Sequence, residues 1–295
     1  MNDIPENQIP GFYHRRVGDL LVTAVSDGYL DGNLDVLLNI PPDELRELLS
    51  ASFRPTTGRR TSVNTFIVRA PGRAPVAIDA GSGNYLAATA GRQRANLAAA
   101  GIDPAAVGSV LLTHMHPDHS GGLFDVAAGA FLFPNAELVA HEDELPHWQD
   151  DAAMARANER FRKTFFMQAR EQVGPYAKRL RTFRDGEVLP GITAIPCPGH
   201  TPGHTSYLIH SGAESLLIWG DTVHVPEVQI PRPEVAIAFD TDPDAAMATR
   251  RRVFDMAASD RLLVAGMHLH FPGFGRIARR GDGFALVPEP WAFTL

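Results

Sequence analysis

The stretch Thr113-His114-Met115-His116-Pro117-Asp118-His119-Ser120-Gly121-Gly122 packs three imidazoles and a carboxylate into six residues, directly behind the apolar run Val110-Leu111-Leu112. Side chains at i and i+2 of an extended segment point the same way, so His114 and His116 can grip one metal ion. If the chain then turns, Asp118 and His119 face a second ion close by. Imidazole with carboxylate is a ligand set that suits zinc and its divalent neighbours. A chain with 12 His produces pairs by chance, but an HxHxDH string behind a strand is a poor candidate for accident.

Two ions need more ligands than these four, and further candidates stand at the ends of other apolar runs. Pro198-Gly199-His200-Thr201-Pro202-Gly203-His204 follows the alternating stretch Ile192 to Ile195. Leu216-Leu217-Ile218-Trp219-Gly220-Asp221 reads as a buried strand ending in a carboxylate, and Leu262-Leu263-Val264-Ala265-Gly266-Met267-His268 as another ending in His. The simplest assignment gives His114, His116 and His200 to one ion and Asp118, His119 and His268 to the other. Asp221 bridges both, and each site keeps room for a shared water or hydroxide, as a catalytic site should.

These motifs resemble the metallo-β-lactamase superfamily, in order and rough spacing, from Asp79-Ala80-Gly81 to the His268 strand. The resemblance implies an α/β fold, the αββα sandwich of two mixed sheets flanked by helices, with the metals at one edge. It also implies that Asp79 orients a ligand imidazole by hydrogen bond rather than binding metal. A narrower resemblance, to the methyl parathion hydrolase branch, rests on five runs. They are Gly199 to Tyr207, Gly220-Asp221-Thr222-Val223-His224-Val225, His268 to Gly275, and the opening Pro10-Gly11-Phe12-Tyr13 with Val22 to Gly28. That branch holds binuclear phosphotriesterases and related lactonases.

Other histidines compete for ligand roles. In the resembling proteins the first His of the GHTPGH motif carries the metal, which sets His204 aside. His268 and His270 would point the same way on a strand, so geometry does not separate them; the resemblance favours His268. His224 fits a place near the pocket and a structural role equally well, and His141 reads as structural. Cys197, the only cysteine, cannot form an internal disulfide and reads as a small packed thiol.

At 295 residues and 44% hydrophobic content, the chain can bury one large core or two moderate ones. Ligands spread from 114 to 268 must converge, which argues for one domain over 1–295. A net charge of −7 suits neither a nuclease nor any holder of a polyanion; the expectation is no nucleic acid and a small neutral or apolar substrate. Met1 to Glu6 shows no apolar signal region, and nothing approaches the about 20 apolar residues of a membrane span, so a cytoplasmic protein without a membrane partner is expected.

The pattern predicts a strand over 19–27, a helix from Pro41 to Leu49 with acids in its first turn, and a hairpin of 62–68 with 75–78. Helices are expected over 87–100 and, capped by Asp242, to about Ala258. The segment of about 145–180 reads as an amphipathic helical insertion forming a pocket wall. Trp148 and Phe166 line up with aromatic pocket positions of the resembling hydrolases, with Tyr85 a third.

The implied chemistry is hydrolysis of a lactone or aryl ester by a metal-bridging hydroxide, with Asp118 and Asp221 as the catalytic carboxylates. Organophosphate triester hydrolysis is expected as a side reaction or alternative, as is acyl-homoserine lactone hydrolysis. Two divalent ions are implied, Zn by default, with Co, Mn or Fe suiting the same ligands. Di-iron oxidoreductases of the fold typically replace the second His of the string by Glu, whereas His116 stands here. A binding module would tolerate lost ligands, and glyoxalase II would show a basic C-terminal cluster; neither pattern is present. The resembling hydrolases are commonly dimers, so a homodimer is expected.

Overall fold

The apolar run ahead of the histidine string alternates between two buried faces. Leu111 packs inward between two sheets, while Val110 and Leu112 face outward onto helices. A strand buried on both faces reads as a continuous hydrophobic run, and this one does. In the computed structural model, which describes residues 8–295, that alternation recurs through two seven-stranded sheets. The Met1 to Glu6 segment read for an export signal lies outside the described residues.

The first sheet contains β1 (Phe12–Val17), β2 (Leu20–Gly32), β3 (Arg59–Arg69), β4 (Val76–Ile78), β5 (Ser109–Leu111), β6 (Glu137–His141) and β7 (Leu180–Phe183), ordered as in the chain. Strands β1 to β4 pair antiparallel and β4 to β7 parallel. The second sheet runs likewise in chain order. It holds β8 (Gly186–Leu189), β9 (Ile192–Pro196), β10 (Thr205–Ser211), β11 (Glu214–Ile218), β12 (Leu263–Ala265), β13 (Phe274–Arg280) and β14 (Gly283–Pro288). Only β11 and β12 pair in parallel there.

Three apolar layers hold the sheets. Val22, Phe66, Ile78, Leu111 and Val139 of the first sheet meet Tyr207, Ile209, Leu216, Ile218 and Leu263 of the second. Outside the first sheet, Ile67, Val110 and Leu138 carry Leu97, Trp148, Phe166 and Tyr176. Outside the second, Leu217, Trp219 and Val264 carry Val253, Phe254 and Ala257 of the helix Pro243–Ser259, which Asp242 caps by accepting from Ala245 N. Helices therefore cover both outer faces, the αββα arrangement expected from the sequence.

Three expectations need correction. Strand β2 runs on to Gly32, past a bulge at Asp27 whose carboxylate accepts from Ser82 N at 2.7 Å and Gln93 N at 2.9 Å. The helix expected over 87–100 forms only over Gln93–Ala99. Its first part is diverted because Thr89 O accepts from Tyr29 N and Gly91 takes a left-handed φ of +79°, which glycine alone adopts without strain. The helical insertion is a chain of short pieces between Glu144 and Arg179, interrupted where Asp150 and Asn158 leave helical conformation to cap the next turn. Among the described residues, no helix is long and apolar enough to cross a membrane.

The topology sets the site. Parallel strands release their chains at one edge, where open α/β sheets place ligands. Asp79 follows β4, the histidine string follows β5, Asp221 follows β11 and His268 follows β12. Phe254 is fully buried in the outer layer of the second sheet, against Trp219 at 5.7 Å. Phe254→Ala is expected to cost about 3–5 kcal/mol in urea unfolding; a loss below about 1 kcal/mol would contradict the packing described.

Candidate metal centre

Side chains from both sheets converge on Asp221. This residue sits in the turn Gly220–Thr222, where Gly220 has φ +59°. A Cβ at Gly220 would stand 2.4 Å from His204 Nε2, so glycine is required for the close approach. Four imidazole Nε2 atoms face Asp221 Oδ2: His224 at 3.0 Å, His268 at 3.1 Å, His200 at 3.3 Å and His114 at 3.7 Å. His119 Nε2 lies 3.0 Å from Oδ1, without the alignment of a hydrogen bond. Asp118 stands at the more open side, 3.7 Å from His119 Nε2 and 3.5 Å from His268 Nε2.

Two overlapping groups result. His114, His116, His200 and Asp221 form one, and Asp118, His119, Asp221 and His268 the other, with all ligand atoms of each group within 4.8 Å of one another. The outer ring nitrogens are engaged elsewhere. His119 Nδ1 meets Asp79 Oδ2 at 2.7 Å, His200 Nδ1 meets Asp240 Oδ1 at 2.8 Å, His268 Nδ1 meets Ser62 O at 2.7 Å, and His114 Nδ1 meets Thr113 Oγ1 at 3.1 Å. A donated Nδ1–H leaves the Nε2 lone pair aimed at the centre, the tautomer a metal ligand needs. The Nε2 atoms of His114, His116, His119 and His200 are buried with no hydrogen-bond partner among the described residues. Unpartnered buried polar atoms cost about 1–3 kcal/mol each, and two divalent cations, one per group, would satisfy His114, His116 and His200 on one side and His119 on the other, so the residues fit such ions.

Electrostatics agree. Burial would raise the Asp221 pKa, but His119, His268, His224 and His114 hold it well below the ordinary carboxylate value. Burial pushes His114 and His116 well below the usual imidazole range, their neighbouring imidazoles adding to the effect. His119 is depressed by burial and lifted further by Asp221, Asp118 and Asp79, ending well above it. For His200 burial is likewise outweighed, by Asp221 and Asp240, and the pKa reaches about 9.

The histidines left open in the sequence take distinct places. His268 faces Asp221, while His270 turns outward to Glu227 at 2.6 Å; the chain bends after Ala265, so strand alternation does not hold there. Both nitrogens of His204 are occupied: Nδ1–H donates to Cys197 O at 3.0 Å and Nε2 accepts from Asp221 N at 2.8 Å. His204 thus aims Asp221 without being free to bind metal. His224 is buried beside the cluster, stacked on His268 at 5.2 Å, with no hydrogen-bond partner for either nitrogen among the described residues. Asp79, left-handed at φ +61°, also accepts from Thr113 N at 2.7 Å.

The aromatic wall differs in part from expectation. Trp148 meets His116 edge-on at 5.4 Å. Phe166 instead packs behind Trp148 in the core, and the neighbouring Phe165 meets His116 at 4.8 Å and Phe239 at 6.1 Å. A wide helical turn over Arg162–Met167 decides which ring faces the site. Tyr85 lines a separate cavity of about 400 Å³ with Asp27, Gly122 and Phe124, and no candidate ligand borders it. Left-handed Gly81 and Gly83 swing the chain there. Asp240 went unnoticed in the sequence, where only Asp242 stood out as a helix cap.

The Metallo-beta-lactamase superfamily model matches residues 58–284. The chain belongs to that superfamily. Among solved structures it is similar to hydrolase AbOPH of the beta lactamase superfamily, at 32% identity and TM-score 0.91 over 97% of this chain and all of the other. It is also similar to AidC, a dizinc quorum-quenching lactonase in complex with the product N-hexanoyl-L-homoserine, at 26% identity and TM-score 0.88 over 96% and 98%. An N-acyl homoserine lactonase of Bacillus thuringiensis is 27% identical over 165 residues, 56% of each chain. YobT of Bacillus subtilis (strain 168) is 31% identical over 112 residues, 38% of this chain and 44% of its own. The matches span about half the length of these curated relatives.

A ligand imidazole must shed its proton to bind a cation. Despite burial, Asp221 and Asp240 lift His200 to about 9, and Asp221, Asp118 and Asp79 lift His119 well above the usual imidazole range, so metal affinity rises with pH through the neutral range, and zinc uptake at pH 7.5 releases protons. Calorimetry in buffers of different ionisation enthalpy should show net proton release; binding with none would contradict the assignment of His200 and His119 as ligands that are protonated in the metal-free chain.

Proposed function

We propose that this member of a metal-dependent hydrolase family is a binuclear hydrolase of small, neutral or apolar lactones and aryl esters, with organophosphate triester hydrolysis as a secondary activity. The observation that carries the reading is the pair of His/Asp groups sharing Asp221 beside an aromatic wall. His114, His116 and His200 would hold one divalent ion and Asp118, His119 and His268 the other, with Asp221 common to both; zinc is the default occupant. Such ions supply Lewis acidity toward a carbonyl or phosphoryl oxygen and bring the pKa of water toward neutrality.

The chain's own residues supply the rest. Asp118 is the least buried of the seven ligands, and its carboxylate would accept a proton from the attacking water and return it to the leaving alkoxide. His224, held at about pKa 4 by burial, is neutral at working pH and faces the same space. Trp148, Phe165 and Phe239 exclude water and favour an aryl or acyl chain over a highly charged group. Their character, with the net charge of −7, disfavours polyanionic substrates. Likeness to the dizinc lactonase over nearly the whole chain supports placing lactones ahead of triesters.

Metal-replete protein should be assayed side by side on an aryl lactone, a long-chain acyl-homoserine lactone and an aryl phosphotriester. Lactone kcat/KM should exceed that for the triester by about tenfold or more, equivalent to about 1.4 kcal/mol of transition-state stabilisation. A dominant triester rate would overturn this order and mark a dedicated organophosphate hydrolase.

A further inference from the structure

The carboxylate of Glu144 is fully buried, at the start of the helix Glu144–Gln149 that follows β6. It accepts four hydrogen bonds. Oε2 accepts from Met115 N at 2.9 Å and Trp148 Nε1 at 2.9 Å. Oε1 accepts from Gly203 N at 2.9 Å and from the Thr201 hydroxyl. Met115 sits between His114 and His116, and Thr201 follows His200 directly. One side chain therefore ties together the two backbone segments that carry all three imidazoles of the first group. It also holds Trp148, whose ring edge meets His116.

The local sequence is shaped around this contact. A Cβ at Gly203 would lie 2.8 Å from Glu144 Cγ and 2.9 Å from Glu144 N, so the loop reaches the carboxylate only because residue 203 is glycine. The same two segments are joined a second time, where Thr205 N donates to Thr113 O at 2.9 Å and the Tyr207 hydroxyl to Leu112 O at 2.6 Å. Loss of the Glu144 tie would accordingly let the segments tilt rather than separate. The second group is braced independently, by Asp79 on His119 and Ser62 O on His268.

We propose that Glu144 is a positioning residue for the first metal group: it sets the separation of His114 and His116 from His200 and couples that separation to the Trp148 wall. The inference rests on the two-metal reading above. In Glu144→Gln, one oxygen still accepts while the new NH₂ faces two donors, of which at least one is a backbone or indole N–H that cannot reverse. One segment thereby loses its N–H tie and is held less firmly, and at the Oε1 side only the Thr201 hydroxyl, which can turn to accept, remains. Partners that orient ligands in this way typically contribute about 10–100-fold to metal affinity.

The test is titration of the metal-free protein with Co(II), read by calorimetric stoichiometry and by the visible absorption of the bound ion. The parent should bind two ions. Glu144→Gln should keep one tight site, lose about 10–100-fold in affinity at the other and show an altered spectrum. Thr201→Val, a milder change, should weaken the same site by less, and it carries the test if Glu144→Gln does not fold. Trp148→Phe removes one donor but leaves both segments tied, so both ions should bind as in the parent while KM rises. Parent-like binding and spectrum in Glu144→Gln, or in Thr201→Val if that variant carries the test, would overturn the role of Glu144 alone. A parent that binds fewer than two ions would overturn the two-metal reading and this inference with it.

Discussion

Five imidazoles, those of His114, His119, His200, His224 and His268, turn their Nε2 atoms toward one buried carboxylate, Asp221. Such a gathering is unfavourable for the protein alone. Aligned lone pairs repel, the Nε2 atoms of His114, His119, His200 and His224 lack a hydrogen-bond partner among the described residues, and protonating all five rings would crowd like charges in a dry site. Asp221 relieves part of this by remaining ionised, but a single charge cannot satisfy every nitrogen around it. The arrangement persists because two sheets and their layers of helices fix the backbone that carries it, and divalent cations would complete it.

That constraint explains features that look unrelated when taken singly. Gly220 must be glycine so that His204 can approach and accept from Asp221 N, which points the carboxylate inward. Asp79 tolerates a left-handed backbone because its oxygens grip both Thr113 and His119. Asp240 and Ser62 O take the outward nitrogens of His200 and His268. Local strain of this kind survives only where the surroundings over-determine the conformation.

The sequence made the parts with local signatures legible. The alternating run before His114, the carboxylate behind Ile218 and the His behind Ala265 each announce themselves within a few residues, and the structure brings these side chains to one edge. Contacts set by distant approach had no such signature. Asp240 serves a histidine 40 residues earlier in the chain, and Glu144 joins two loops 29 and 59 residues away. The choice between Phe165 and Phe166 turned on a wide helical turn, which periodicity at 3.6 residues does not resolve. Likewise, the Ala-rich stretch before Gly91 has the composition of a helix, but a hydrogen bond to Tyr29 and a left-handed glycine divert it.

The most direct test of the account is a crystal structure of zinc-loaded protein with anomalous data collected on both sides of the zinc edge. Two anomalous peaks are expected. One should contact Nε2 of His114, His116 and His200, the other Asp118, His119 and His268, with the Asp221 carboxylate between them. A single peak, or a second ion held by residues outside these seven, would contradict it.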